Sequence, residues 1–284
     1  MSLTIDERAN LGLTSDDDTL RLHWAERNDF CITPEMVDRG LSDSCWLVRQ
    51  AWARRLDFTP TSSQIEKGLA DPKTSVRTTW ARRTDYILTP ENVSQCLAWL
   101  PKGLSAFLEW MKRGDFIPTD EQRSEGLSSP LTTVRTAWVT RPDCRLTNSQ
   151  VSTLIKDPHR SVRLGVALLD TFRPLPSHVD VGIVDSSLAV RLAWAKREDF
   201  VPTSNQVTIG LQDSQTAIQQ LWAKREDYQL TRQHAEIGIN DEDPVVRVAM
   251  VSRSDFLDAM RCAYPSTLVS AGPRKRKILT SLIE

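Results

Sequence analysis

Charged side chains recur along this chain at fixed spacing, and they are the first candidates for chemistry. One arginine column runs Arg21, Arg49, Arg77, Arg135, Arg163, Arg191 and Arg247, interrupted at Phe107 and Gln219. A second runs Arg27, Arg55, Arg83, Arg113, Arg141, Arg197, Arg225 and Arg253, and each member is followed two residues later by an aspartate, from Asp29 to Asp255. Both partners of this second pair fail together, at Leu169 and Thr171. Joint loss points to a guanidinium and a carboxylate that serve one another, a charge-assisted ladder between repeats rather than a phosphate-binding stripe. A third column, Arg54, Arg82, Lys112, Lys196 and Lys224, is basic without an obligatory acid. Regularly spaced cations of this kind suit a nucleic-acid backbone or an acidic partner. The alternative is a solvated helix face neutralised by Glu198 and Glu226. Arg274, Lys275, Arg276 and Lys277 form a basic run with the same two readings.

Other chemistry finds no support. His23, His159, His178 and His234 are far apart, with no HExxH and no Cys/His ligand spacing. Phosphate-loop, dinucleotide and nucleophile-elbow motifs are absent. The carboxylates are mostly periodic, whereas a catalytic pair is singular. The expectation is therefore no enzyme, no metal and no cofactor. Cys31, Cys45, Cys96, Cys144 and Cys262 are odd in number and scattered, which fits free thiols in a reducing cytoplasm. No apolar run reaches the roughly 18 residues of a membrane helix, and MSLTIDERAN is too polar for a signal peptide. A formal net charge of −1 over 284 residues excludes a strongly basic chromatin-type protein.

The elements that position these columns follow from an internal repeat. Trp24, Trp52, Trp80, Trp110, Trp138, Val166, Trp194, Trp222 and Met250 mark nine units, 28 residues apart except for a two-residue insertion before Trp110. Each unit reads as two short helices. The first opens at an expected N-cap Asp or Ser, such as Asp43, Asp71, Ser129 or Asp185, and continues as VRxAWAxR. The second opens at a Thr with Gln three residues on, as in Thr61/Gln64, Thr119/Gln122, Thr147/Gln150 and Thr203/Gln206, which is a capping box. It stops at Gly40, Gly68, Gly126, Gly182, Gly210 or Gly238, read as a left-handed C′ glycine. Helices this short are not stable alone, so stacked units must share one core, with the tryptophans inside it. The fold class is all-α, a right-handed α-solenoid of about nine two-helix repeats. The expected layout is one continuous solenoid over 1–284: a half-repeat cap at 1–15, nine repeats at 16–268, and a basic turn with a capping helix at 269–284.

The pattern carried by Asp71, Pro72, Val76, Arg77, Ala81, Thr89, Pro90, Glu91, Val93 and Leu97 resembles the leucine-rich repeat variant family. That resemblance implies a right-handed superhelix of short paired helices, akin to HEAT repeats. These units are a few residues longer, and Trp stands where the family has an aliphatic residue. Some members hold a cysteine-ligated iron–sulfur cluster; the closely spaced cysteines are missing here, so no cluster is carried over. The resemblance implies no shared activity. The expected role is a non-enzymatic cytoplasmic scaffold that binds a protein partner, with the variable second helices lining one face. The alternative is a nucleic-acid-binding solenoid using the third basic column and the tail. Trp99 and Phe107, beside the insertion, are candidate hydrophobic anchors for a partner or a local repacking that absorbs two extra residues. The sixth unit lacks Trp and both ladder partners, and either bends the array or forms a ligand surface.

Overall fold

A computed structural model describes residues 2–98 and 103–261. Trp99, Cys262 and the Arg274–Lys277 run with its expected capping helix lie outside the described residues. In chain order the helices are α1 (Ile5–Leu13), α2 (Asp18–Ala25), α3 (Pro34–Gly40), α4 (Trp46–Arg54), α5 (Ser62–Leu69), α6 (Thr74–Arg82), α7 (Pro90–Ala98), α8 (Leu104–Trp110), α9 (Asp120–Leu127), α10 (Thr132–Val139), α11 (Asn148–Leu154), α12 (Arg160–Leu168), α13 (Pro176–Gly182), α14 (Leu188–Ala195), α15 (Ser204–Leu211), α16 (Thr216–Lys224), α17 (Arg232–Ile239), α18 (Pro244–Val251) and α19 (Phe256–Arg261). No strand occurs among the described residues. The chain is an α-solenoid whose contacts cluster into two compact units, Met1–Arg141 and Pro142–Glu284.

Each unit is built in two layers. In the first unit α2, α4, α6, α8 and α10 pack successively side by side, and α1 packs on α3 and α7 on α9 in the other layer. In the second unit α12, α14, α16 and α18 form one layer, and α15, α17 and α19 contribute to the other. Even-numbered helices are thus the first helices of each repeat and odd-numbered ones the second. Thr61, Thr119, Thr147 and Thr203 cap α5, α9, α11 and α15 with the reciprocal Gln bond that their spacing predicts. The Asp residues expected to cap the first helices stand slightly earlier. Asp43, Asp71 and Asp185 each accept the N–H two residues on, at 2.8, 2.8 and 2.7 Å, in a turn that leads into the helix. In sequence such a turn looks the same as an N-cap.

The tryptophan column is core: Trp52, Trp80, Trp110, Trp138, Trp194 and Trp222 are fully buried, and only Trp24, at the chain start, is half-buried. This column also explains the glycines, and corrects the left-handed reading. None of the column glycines has a positive φ. Each faces the side chain twelve residues ahead, an indole everywhere but at Gly238, which faces Met250, and a Cβ on Gly68 would lie 2.1 Å from Nε1 of Trp80. The glycine is a socket for a ring. Where the ring is lost at Val166, the socket position is filled by Leu154, and both are buried. Volume has moved from one helix to the other, which conserves the packing.

Gly68→Ala is expected to destabilise the protein by about 1–3 kcal/mol through overpacking, although alanine favours helix by up to about 1 kcal/mol. Adding Trp80→Val to Gly68→Leu, as repeat six does, restores part of the loss in urea unfolding. A neutral Gly68→Ala contradicts the socket.

Candidate functional site

The second arginine column is consumed by the framework. Arg83 illustrates the rung. Nε and Nη2 bind both oxygens of Asp85, at 2.9 and 2.5 Å. Nη1 donates to the carbonyls of Ala53 and Arg55, at 3.1 and 2.6 Å, and Nη2 to Phe58 O at 3.2 Å. The guanidinium lies 4.7 Å from the centre of the Phe58 ring. All three carbonyls belong to the preceding repeat. The Arg–Asp pair is therefore internal to a repeat, and the link between repeats is guanidinium to backbone. Arg225 repeats it on Ala195, Arg197 and Phe200 at 3.1, 2.6 and 3.2 Å. Arg141 does so on Met111 and Phe116, both at 3.0 Å. Side-chain hydrogen bonds from Arg113 and Arg253 hold Asp115 and Asp255 below the usual carboxylate range.

Repeat six has no guanidinium in this column, and Thr171, in the aspartate position, donates its hydroxyl to Cys144 O, the carbonyl that an arginine at 169 would reach. Arg253 keeps Asp255 and Tyr228 O, while its Nη1 has no partner among the described residues.

The first arginine column makes a second set of rungs. Arg49 forks onto Asp71 of the next repeat at 2.6 and 3.0 Å. Arg21 binds Asp43, Arg163 binds Asp185 and Arg191 binds Asp213 in the same way.

A third rung escaped the sequence reading. Gln122 and Gln206, besides capping their own helices, donate Nε2 to the previous second helix, at Pro90 O (2.9 Å) and Pro176 O (3.0 Å). His178 and His234 occupy the same column and are buried. Leu175 N–H donates to His178 Nδ1 at 3.2 Å, so Nε2 carries the proton and donates to Ser152 Oγ at 2.9 Å. His234 Nε2 lies 3.0 Å from Ser204 O, which only accepts. Burial pushes both imidazoles below their ordinary pKa. The 28-residue spacing from Gln150 to His178 and from Gln206 to His234 held this information.

The third basic column is exposed, but not uniform. Arg82 and Lys112 share Glu109, at 3.1 and 3.2 Å. Arg54, Lys196 and Lys224 have no carboxylate within 4.0 Å among the described residues. Phe107 is fully buried, its ring 6.1 Å from that of Trp138, so it is no surface anchor. It fills the core beside the insertion. Exposed apolar side chains gather elsewhere. In the second unit Leu168 (67% exposed), Leu188 (41%), Val245 (46%) and Val248 (61%) lie on or beside α12, α14 and α18. Clefts open between these helices: about 600 Å³ beside Leu188 and Leu192, and about 450 Å³ beside Val245 and Val248. No group of three His, Cys, Asp or Glu residues able to hold a metal occurs among the described residues. No described helix is long and apolar enough to cross a membrane.

The structure is similar to a solved leucine-rich repeat variant with a repetitive structural motif, at a TM-score of 0.56 and 19% identity, over 77% of this chain and 81% of that one. At this identity the likeness concerns the fold. No family model matches the chain, and no curated protein does.

Arg83→Gln is expected to cost about 1.5–3 kcal/mol, because it leaves three carbonyls of the preceding repeat without their charged donor. Conversely, Leu169→Arg with Thr171→Asp restores the missing rung and adds about 1.5–3 kcal/mol; chemical denaturation reads both. The histidines set a pH dependence. Their folded pKa values lie below the unfolded value of about 6.5, so the unfolded chain takes up protons first as pH falls. Their contribution is whole above about pH 6.5 and shrinks below it. Tm therefore drops on acidification to about pH 5, and replacing both with Gln flattens that part of the profile.

Proposed function

We propose that this chain is a non-enzymatic repeat scaffold that binds a protein partner, and that the first-helix layer of the second unit is the docking face. The observation that carries this is the apolar surface on α12, α14 and α18. Leu164 and Leu192 are half-exposed and Leu168 and Leu188 exposed on the packed pair α12 and α14, and Val245 and Val248 are exposed on α18, beyond α16 with its Gln220. Contiguous apolar surface beside clefts is typical of protein–protein sites. The helices α12, α14, α16 and α18 contain no Asp or Glu, and charge depletion is the compositional mark of an interface centre. A binding role also accords with the fate of the periodic charges, whose arginines and aspartates are occupied in the rungs described above. The solenoid fold is suited to such work, since a constant framework presents variable surface positions. This face differs from the second-helix layer favoured by sequence. There the exposed positions, such as Ser62, Ser63, Ser204 and Asn205, are small and polar and offer no anchor. A cytoplasmic setting accords with the free thiols of Cys31, Cys45 and Cys144.

Photo-crosslinking in the source cells tests the proposal. A photoreactive residue at 192 or 248 is expected to trap a discrete protein that one at 63 or 205 does not. Leu192→Glu with Val248→Glu should reduce the affinity for that protein at least about tenfold, as loss of a buried apolar anchor does, with an unchanged circular dichroism spectrum. Trapping only at 63 or 205 contradicts the docking face, and trapping nowhere contradicts the partner.

A further inference from the structure

The first-helix layer of the other unit has a different chemistry at corresponding positions. The second unit has Leu164, Leu192, Gln220 and Val248 in the column two residues before the Trp position, and the helices α4, α6, α8 and α10 have Gln50, Thr78, Leu108 and Thr136 there. Three of its helices, α4, α6 and α10, contain no Asp or Glu. The single acid on α8 is Glu109, half-buried and shared between Arg82 and Lys112. Hydrogen bonding from Arg82 and then Lys112 holds it below the usual carboxylate range, so it is ionised and offsets one of the two. Arg54 stands exposed with no carboxylate within 4.0 Å, in a cleft also lined by Glu26 and by Asp57, which Arg55 holds. At the opposite end of α4 and α6, Lys73 stacks over the half-exposed Trp46 ring at 4.6 Å. Four exposed cations thus face solvent, with Glu109 shared by two of them and Glu26 and Asp57 near a third. The second-helix layer of the same unit has the opposite character, with Glu35, Asp38, Glu66, Glu91, Asp120 and Glu121 all exposed.

We infer that the α4–α6–α8–α10 face binds the phosphodiester backbone of a nucleic acid, through Arg54, Arg82, Lys112 and Lys73. The sign of the charge selects an anion. Packed helices lie about 8–10 Å apart, so the cations form an open row rather than converging on one point, and an extended polyanion fits better than a small ion. The groups between the cations include the hydroxyls of Thr78 and Thr136 and the amide of Gln50, side-chain types that with Arg and Lys contact phosphate and sugar, beside Leu47 and Leu108. An acidic protein would need apolar anchors, and on these helices Leu47 is exposed and Leu108 half-exposed, fewer than the exposed Leu168, Leu188, Val245 and Val248 of the other unit. Trp46 adds a ring on which a base can stack. The five-member stripe suggested by sequence therefore divides. Lys196 and Lys224 belong to clefts that also contain Glu198 and Glu226 and lie beside the apolar face.

This inference is independent of the protein-docking face and is tested on the full chain by fluorescence anisotropy. The probes are labelled 20-nucleotide single-stranded DNA, duplex DNA and duplex RNA, from about 20 to about 200 mM salt. Three or four phosphate contacts predict a slope of log affinity on log salt of about −2 to −4. Arg54→Gln with Arg82→Gln should weaken binding at least about tenfold and flatten the slope by about two contacts, while Lys196→Gln with Lys224→Gln changes it less than about twofold. Thr78→Asp, on the same face, should weaken it as well. The three probes distinguish a single strand, where Trp46 stacks, from a duplex read by its backbone. No binding at about 20 mM salt overturns the inference. So does binding indifferent to the Arg54/Arg82 pair, as an interaction through Arg274–Lys277 would be. An acidic peptide of equal charge that binds as tightly as the oligonucleotides also overturns it. None of these outcomes bears on crosslinking at 192 and 248.

Discussion

The structure depends on a single constraint: each repeat must satisfy backbone carbonyls that its neighbour leaves open at the end of a short helix. None of the described helices exceeds nine residues, so a large fraction of their carbonyls have no partner inside the helix. The second-column guanidinium is suited to this deficit. It is planar, always charged and offers five donors in a fixed fork. Two of its edges hold the repeat's own aspartate, which fixes the side chain, and the rest reach the loop behind. Its flat face rests on an aromatic ring of that same loop. An Arg–Asp pair thereby becomes a ruler for the distance between repeats.

Departures from the pattern support this account, because each is compensated at the atom left wanting. Repeat six gives up arginine and aspartate together, and a threonine hydroxyl takes over one orphaned carbonyl. It also gives up the tryptophan, and the glycine socket is replaced by leucine. Gln and His178 serve alike in the third rung because both present an acceptor to their own helix N-terminus and a donor to the previous helix, while His234 keeps the donor side alone. The cost of His is a buried group that resists protonation and loses its contribution on acidification.

Much of this was legible in the sequence. The 28-residue period, the helix pairs, the capping boxes at Thr61, Thr119, Thr147 and Thr203 and the burial of tryptophan all follow from residue types and spacing. The linkage of Arg27-type and Asp29-type residues was also visible, from their joint loss at Leu169 and Thr171. What was not visible is where the rung goes, because backbone carbonyls have no residue type. The glycines were misread for a related reason. A glycine near a helix end fits a left-handed cap and a close ring contact equally well, and only its constant distance of twelve to the tryptophan separates them. Phe107 read equally as a surface anchor or as a repacking beside the insertion, and its burial decides for repacking, since an apolar residue in a first helix can simply join the core. Surface character was the least legible, since exposure of Leu168 or Val248 depends on which side of α12 or α18 meets the next helix.

The framework leaves two first-helix faces of unlike chemistry, one apolar and one cationic and hydroxylated, while the same rungs run beneath both. The most direct test of the rung as the organising interaction is NMR of arginine side chains with ¹⁵N-labelled guanidinium groups. The account predicts slow rotation and protection from exchange at Arg55, Arg83, Arg113 and Arg225, whose Nη groups are pinned on carbonyls and carboxylate at once. Arg54, exposed on the same helix as the start of a rung, should give an averaged, rapidly exchanging signal. If the Arg83 and Arg225 groups rotate and exchange as freely as Arg54, the rungs do not hold the repeats together and the account is wrong.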